Sequence, residues 1–220
     1  PPFALSQAHA EEIVLKSNRL EPYPNLLTTS IRPAGIFGEG DVQTLAGFYN
    51  AYKSGNSRVQ IGDNTNLFDF TYVGNVAHGH LLAAERLLAT ARSSSPSPPL
   101  DHERIDGEAF FITNDSPVYF WDFARAVFRA AGDDKGTSGV WTMSPGLGNV
   151  LGFLSEVFAS LLGRQATFTT QKVTMTTMTR YYNITKAKRV LDYVPLWTLQ
   201  EGVDRGVSWF LEQERKQKGN

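Results

Sequence analysis

The chain has 220 residues, 41% of them hydrophobic and 20% charged, with a net charge of −1. That composition suits a globular protein with one substantial core and gives no electrostatic ground for binding nucleic acid. There is no Cys, which excludes disulfides and thiolate chemistry, and no apolar run of the ~18 residues that a membrane-spanning helix needs.

The first residues, PPFALSQAHAEEIVLKSN, lack an initiator Met and already carry helical spacing, with Ala4, Ala8 and Glu11 followed by Ile13 and Val14. NLLTTSIRP (25–33) is apolar and β-branched and ends in Pro, the pattern of a buried strand. The Gly-rich AGIFGEGD loop follows, then VQTLAGFYNAYKSG, a helix with Leu45, Phe48 and Tyr52 on one face and Gly55 as its stop. RVQIGDNTNLFDF reads as two strands around an Asp-Asn-Thr-Asn turn, and YVGNVAHGHLLAAERLLATA as an amphipathic helix. The Ser/Pro-rich stretch at 93–105 is predicted to be a surface loop. Beyond it come the strand EAFFIT, a turn at NDSP, and the helix YFWDFARAVFRAAG. GLGNVLGFLSEVFASLLG, YYNITKAKRVLDYVP and TLQEGVDRGVSWFLEQERK supply three more helices, the last opening on a capping box of Thr198 and Glu201. Strands alternating with helices predict an α/β fold with a parallel sheet.

Three literal motifs carry little by themselves. Gly146, Gly148 and Gly152 imitate a phosphate-binding loop, but the preceding segment ends in Pro and a long apolar helix follows, so a Gly-tolerant helix start is the better reading. Tyr49–Lys53 and Tyr182–Lys186 both satisfy Tyr-x-x-x-Lys, a pattern that is weak outside its structural context. The four His (His9, His78, His80, His102) are too scattered for a metal site.

Four blocks in order say more: TSIRPAGIFGEGD, LFDFTYVGNVAHGHLLAA, GEAFFITNDSPVYFWDF and RYYNITKAKRVLDYVPLWTLQEGV. Together they resemble the 3β-hydroxysteroid dehydrogenase family of extended short-chain dehydrogenases, in its branch that oxidises and decarboxylates 4-carboxysterols. The resemblance covers residues 1 to about 212. It implies the C-terminal part of a Rossmann-type parallel sheet plus a mostly helical substrate lobe, with the N-terminal nucleotide-binding half missing. Residues 1–92 would be the distal part of the dinucleotide-binding domain, 93–105 the loop, and 106–220 the remaining strand and substrate lobe.

The family's catalytic Tyr and Lys, one helical turn apart, take up the substrate hydroxyl's proton and hold the nicotinamide ribose. Aligned to this chain those positions read Phe3 and Gln7, neither able to exchange a proton or carry a charge. Resemblance assigns Pro33 and Ile36 to the nicotinamide and Phe37, Gly38, Phe70 and Tyr72 to the substrate; a structural turn with Phe37 in the core is the alternative. NAD is the implied cofactor, with NADP open, and weak or absent binding is expected of this chain alone. The implied partner is a sterol or triterpenoid substrate, and an oligomer of unspecified size is open. The implied location is cytoplasmic or on the cytoplasmic face of the endoplasmic reticulum membrane. A non-catalytic relative that keeps an apolar pocket, or the product of an incomplete gene, are the rival expectations. Residues 147–162 are expected to form a core or lid helix, with peripheral membrane contact as the second reading.

Overall fold

A computed structural model describes residues 2–93, 100 and 102–219, the first two of these by backbone alone. Most of the predicted 93–105 loop, namely 94–99 and 101, lies outside the described residues. In chain order the elements are α1 (Pro2–Lys16), β1 (Thr29–Pro33), β2 (Gly35–Phe37), α2 (Thr44–Lys53), β3 (Val59–Ile61), β4 (Leu67–Phe68), β5 (Phe70–Tyr72) and α3 (Val73–Arg92). They continue as β6 (Glu108–Ile112), β7 (Val118–Tyr119), α4 (Phe120–Ala130), β8 (Trp141–Met143), α5 (Pro145–Leu161), α6 (Thr170–Thr177), α7 (Thr185–Leu191) and α8 (Leu199–Lys218). They fall into two units, each assembled from three separated stretches: 1–36, 71–115 and 182–198 in the first, and 37–70, 116–181 and 199–220 in the second.

The first unit is built on a parallel pair, β1 against β6, in register from Thr29↔Glu108 to Pro33↔Ile112. Its core gathers Phe110 and Ile112 of β6, Ala83 of α3, and Ala187, Val190 and Leu191 of α7, closed by Tyr193. The Tyr193 hydroxyl donates to the Thr113 carbonyl at 2.9 Å, and burial, with the Asp115 charge second, pushes its pKa upward. The loop below this sheet is fixed by Asp106, which is buried and accepts from Asn18 (3.0 Å) and from the Arg19 Nε (2.7 Å). α1 departs from the expectation of a packed apolar face: Leu5 and Ile13 are exposed, and β1 has no strand on its second edge among the described residues.

In the second unit the amphipathic pattern of α4 is realised as predicted, burying Phe120, Phe123, Ala124, Val127 and Phe128. These meet an aromatic cluster in which Phe70 stacks on Phe123 with centroids 3.7 Å apart and Phe37 meets Phe123 edge-on at 5.0 Å. α8 lies against α2 through Gly206, where a Cβ would stand 2.3 Å from a Leu45 methyl that is itself fully buried. The short strands pair at long range, β3 with β8 in parallel and β4 with β7 antiparallel, each as a separate two-stranded sheet, so the described strands do not make the one parallel sheet expected.

Four elements escape the sequence reading: β2 forms within the stretch read as a Gly-rich loop, β7 at the start of the stretch read as turn and helix, and β8 and α6 were not foreseen. β8 is only three residues long, and α6 is a Thr-rich helix capped by the Thr169 hydroxyl, which accepts from the Lys172 N–H at 3.2 Å. The YYNITKAKRVLDYVP helix is shorter than expected and ends at Asp192, which takes a left-handed conformation at φ 54°. α5 forms where predicted, but not as a core helix: its large apolar side chains are exposed, and Gly148 and Gly152 are its buried residues.

Candidate active site

α1 and β1 line an open groove of about 470 Å³ in the first unit. Gln7, Glu11 and Val14 contribute from the helix, and Ser30, Arg32 and Pro33 from the strand. Two residues singled out by resemblance, Gln7 and Pro33, therefore share one wall-to-wall space. Phe3 is placed on the same helix one turn earlier, but its side chain lies outside the described residues.

Charge in the groove is paired. Arg32 donates through Nε to one oxygen of Glu11 (2.7 Å) and through its terminal nitrogen to the other (2.6 Å), while the Ser30 hydroxyl donates to the first oxygen at 2.5 Å. The Arg32 bond is the main reason that the Glu11 pKa falls below its usual value, and that of Arg32 rises in return. A carboxylate held this way is a poor proton acceptor. Arg32 also sits over the Phe111 ring at 5.4 Å. Among the described residues, neither Tyr nor Lys lines the groove. Its residues can position a neighbour by hydrogen bonds, but they offer no phenol–ammonium couple.

The two literal Tyr-x-x-x-Lys pairs are occupied elsewhere. The Tyr49 ring is buried and stacks on Phe210 at 5.1 Å, and burial, followed by the Glu214 carboxylate, pushes its pKa up to about 12. Its Lys53 is bound to Glu214 at 2.5 Å. A base must lose its proton readily, and this phenol is driven the other way. Tyr182 lies flat on Phe111 at 4.5 Å, while Lys186 is held by Glu108 (2.6 Å) and the Ala109 carbonyl (2.9 Å).

Of the remaining positions, Ile36 is 42% exposed in β2, just beyond β1. Tyr72 is buried in the first unit with its ring edge-on to Trp197 at 5.6 Å. Phe37 is fully buried and Phe70 nearly so, both in the aromatic core of the second unit, and the Gly38 backbone lies 3.4 Å from where a Gly206 Cβ would be. These rings hold the core, so the turn-and-core alternative describes Phe37 as the structure places it.

The glycine run offers no pyrophosphate cradle. Gly148 sits in α5, where a Cβ would come within 3.2 Å of Val173, and Gly152 where one would come within 2.8 Å of the Thr170 backbone. Both serve close helix packing, as the helix-start reading expected, and the residues described here do not fit a dinucleotide phosphate.

Sequence reasoning missed an amide latch in the first unit. The buried Asn75 Oδ1 accepts from the Leu196 and Trp197 N–H groups at 2.8 and 3.1 Å, and its Nδ2 donates to Asn114 Oδ1 (2.9 Å) and the Trp197 carbonyl (2.8 Å). Asn114 Oδ1 also accepts from the Tyr72 N–H at 2.9 Å, and its Nδ2 donates to Trp197 O at 3.0 Å. The latch positions Tyr72 and Trp197 together. An Asn in the NDSP turn and another in the first turn of a predicted helix were the only local signal, and their shared partner lies far away in the chain.

Known proteins give this geometry its context. The chain is 42% identical over 208 residues to sterol-4-alpha-carboxylate 3-dehydrogenase, decarboxylating, of Saccharomyces cerevisiae, covering 94% of this chain and 56% of that protein. The mouse and human proteins of the same name are 37% and 35% identical, over 91% and 93% of the chain and 52% of each relative. The chain thus spans about half the length of the curated relatives it matches. Among solved structures, gox2253 superimposes with a TM-score of 0.63 at 22% identity, covering 97% of this chain and 57% of that one. The NAD complex of dTDP-glucose 4,6-dehydratase from Bacillus anthracis gives a TM-score of 0.58 at 15% identity, over 98% and 53%. At such identities the likeness speaks for the fold, a Rossmann-like α/β arrangement. Residues 1–142 match the 3-beta hydroxysteroid dehydrogenase/isomerase family over more than half of the chain, and with the dehydrogenase relatives beside that match, the chain belongs to this family.

Proposed function

We propose that this chain is the distal part of an NAD-dependent dehydrogenase that oxidises the 3β-hydroxyl of a 4-carboxysterol or related triterpenoid. The ketone formed at C3 makes the C4 carboxylate a β-keto acid, which then leaves as carbon dioxide. The observation that carries this reading is the identity of 42% along 94% of the chain to the yeast enzyme of that description. The residues that hold the dinucleotide belong, on this reading, to strands that precede residue 1. The uncovered side chains of α1 and the unpaired edge of β1 support it. A sterol substrate suits work at the cytoplasmic face of the endoplasmic reticulum membrane.

By itself the chain should be inactive. Gln7 in the groove supplies no charge, Phe3 at the family's Tyr position has no proton to exchange, and the glycine run is packed inside α5. The same observations favour a second reading, a non-catalytic protein that binds an apolar ligand. The two are separated by a chimera that places the N-terminal part of the Saccharomyces cerevisiae relative ahead of this chain. With Phe3→Tyr and Gln7→Lys it should reduce NAD on a 4-carboxysterol. Without them turnover should fall by roughly 10²–10⁴-fold, the usual cost of a lost general base. NAD titrated into the unmodified chain should give no measurable heat. Tight binding there would refute the proposed division of labour, and a restored chimera that binds the sterol without oxidising it would favour the second reading.

A further inference from the structure

Arg-x-x-Ser/Thr, a spacing by which arginine-directed protein kinases choose their substrates, occurs in this chain at Arg92–Ser95, Arg164–Thr167 and Arg205–Ser208. Ser95 lies outside the described residues. Between the other two the structure discriminates. A kinase reads its substrate as an extended segment, whereas Ser208 stands in the middle of α8 and Arg205 is held by Glu39 at 3.1 Å. Thr167 has neither obstacle. It lies between Gly163, whose left-handed backbone (φ 63°) follows α5, and Thr169, which caps α6, so Arg164 to Phe168 belong to no helix or strand. Arg164, Gln165 and Thr167 are exposed. Among the described residues, no backbone carbonyl accepts from the N–H groups of Gln165 to Phe168, Arg164 makes no ion pair, and the Thr167 hydroxyl has no hydrogen-bond partner.

We propose that Thr167 is a phosphorylation site, and that Arg164 and Lys172 hold the phosphate against the first turn of α6. The Thr167 Oγ1 attacks the γ-phosphorus of ATP. The new O–P bond forms as the bond to the β-phosphate oxygen breaks, ADP departs, and the hydroxyl proton passes to the kinase's catalytic base. The product carries close to two negative charges, and the sequence around it is cationic. From Val157 to Tyr181 the chain has Arg164, Lys172 and Arg180 and no Asp or Glu. Glu156, just outside that stretch, is turned to Thr170, its Oε1 accepting from the N–H (2.9 Å) and the hydroxyl (3.0 Å). Lys172 Nζ already donates to the Thr167 carbonyl at 2.7 Å, so turning to a phosphate on the same residue needs little motion. Thr167 is two residues ahead of the α6 cap, the end at which the helix dipole favours negative charge. The inference goes beyond the dehydrogenase reading and does not depend on it.

Phosphorylation of the purified chain tests it. The full 220-residue chain, incubated with magnesium ATP and the catalytic domain of calmodulin-dependent protein kinase II, should take up phosphate at Thr167, located by peptide mass spectrometry. Arg164→Gln should lower the initial rate at least about tenfold, Thr167→Ala should remove the label, and Ser208→Ala should leave it unchanged. All three side chains are exposed, so the variants should keep the circular dichroism and melting temperature of the parent. In the phosphorylated chain the α6 amides should exchange at least about threefold more slowly, an effect that Lys172→Gln weakens. Label on Ser208 or Ser95 in place of Thr167, or a rate that Arg164→Gln leaves unchanged, overturns the proposal. Phosphate on Thr167 that leaves exchange in α6 as it was overturns it too, because the two cations would then not be holding the group.

Discussion

Asn75→Ala removes four hydrogen bonds at one stroke. The Leu196 and Trp197 N–H groups lose their acceptor, and Asn114 Oδ1 and the Trp197 carbonyl each lose a donor. Asn75 is fully buried, so water does not simply replace the amide. Bonds of this kind contribute about 0.5–1.5 kcal/mol each net, and stranded partners cost more, which gives roughly 4 kcal/mol in all. Ala is the better helix former, by about 0.6 kcal/mol at this position within α3, leaving a net loss of roughly 3 kcal/mol. At about 2–4 °C per kcal/mol for a chain of this size, the midpoint of thermal unfolding should drop by roughly 6–12 °C. Amide exchange gives the sharper assay. The Leu196 and Trp197 amides should lose about a hundredfold of protection, while amides of α8 in the other unit lose less. Asn75→Asp keeps the acceptor but turns an oxygen toward the Asn114 and Trp197 oxygens, so it should do no better than Ala. A loss below about 1 kcal/mol for Asn75→Ala, with exchange at Leu196 unchanged, would refute the latch.

Asp106 should make the chain acid-sensitive in a narrow window. Burial opposes its charge, but hydrogen bonds from Asn18, Arg19 and Arg104 outweigh that and bring its pKa to about 2. A depressed carboxylate stabilises above its ordinary value near ~4 and loses that contribution as pH falls toward about 2. Urea titrations across that range should show a loss of about 2 kcal/mol that Asp106→Asn abolishes. Gly152→Ala should destabilise by about 1–3 kcal/mol in urea despite the better helix propensity, since a Cβ there meets backbone at 2.8 Å rather than a side chain that can turn away. Phe123→Ala, which opens a hole between Phe37 and Phe70, should cost about 3–5 kcal/mol in the same titration.

Periodicity made α3, α4 and α8 legible, because each buries one face and its apolar residues recur at helical spacing. It could not reveal α6, where β-branched Thr lowers propensity and the helix exists because Thr169 caps it and Val173 is fully buried. β8 is held by a partner strand at the far-off Val59–Ile61, which three residues of sequence cannot announce. The same apolar spacing that marked 147–162 as a helix gave no hint of which side would face out; the glycines did, since only they allow backbone to approach so closely. At the site, the resemblance named Gln7 and Pro33, which the structure brings to one groove. It also named Phe37 and Phe70, where a local motif could not distinguish a pocket wall from a packed core. Asn75 and Asn114 stayed hidden because what makes them matter is Trp197, more than eighty residues beyond Asn114.

The chain passes from one unit to the other after residues 36, 70, 115, 181 and 198. When synthesis has reached residue 181, both units are therefore still half-built. The latch still awaits Trp197, and α2 still awaits the helix that packs on it. Closing such long loops is entropically slow, and until it happens the aromatic cluster and the outer face of α5 are both available to whatever is nearby. Interleaving thus makes this a protein that cannot be matured, cut or shuffled one unit at a time.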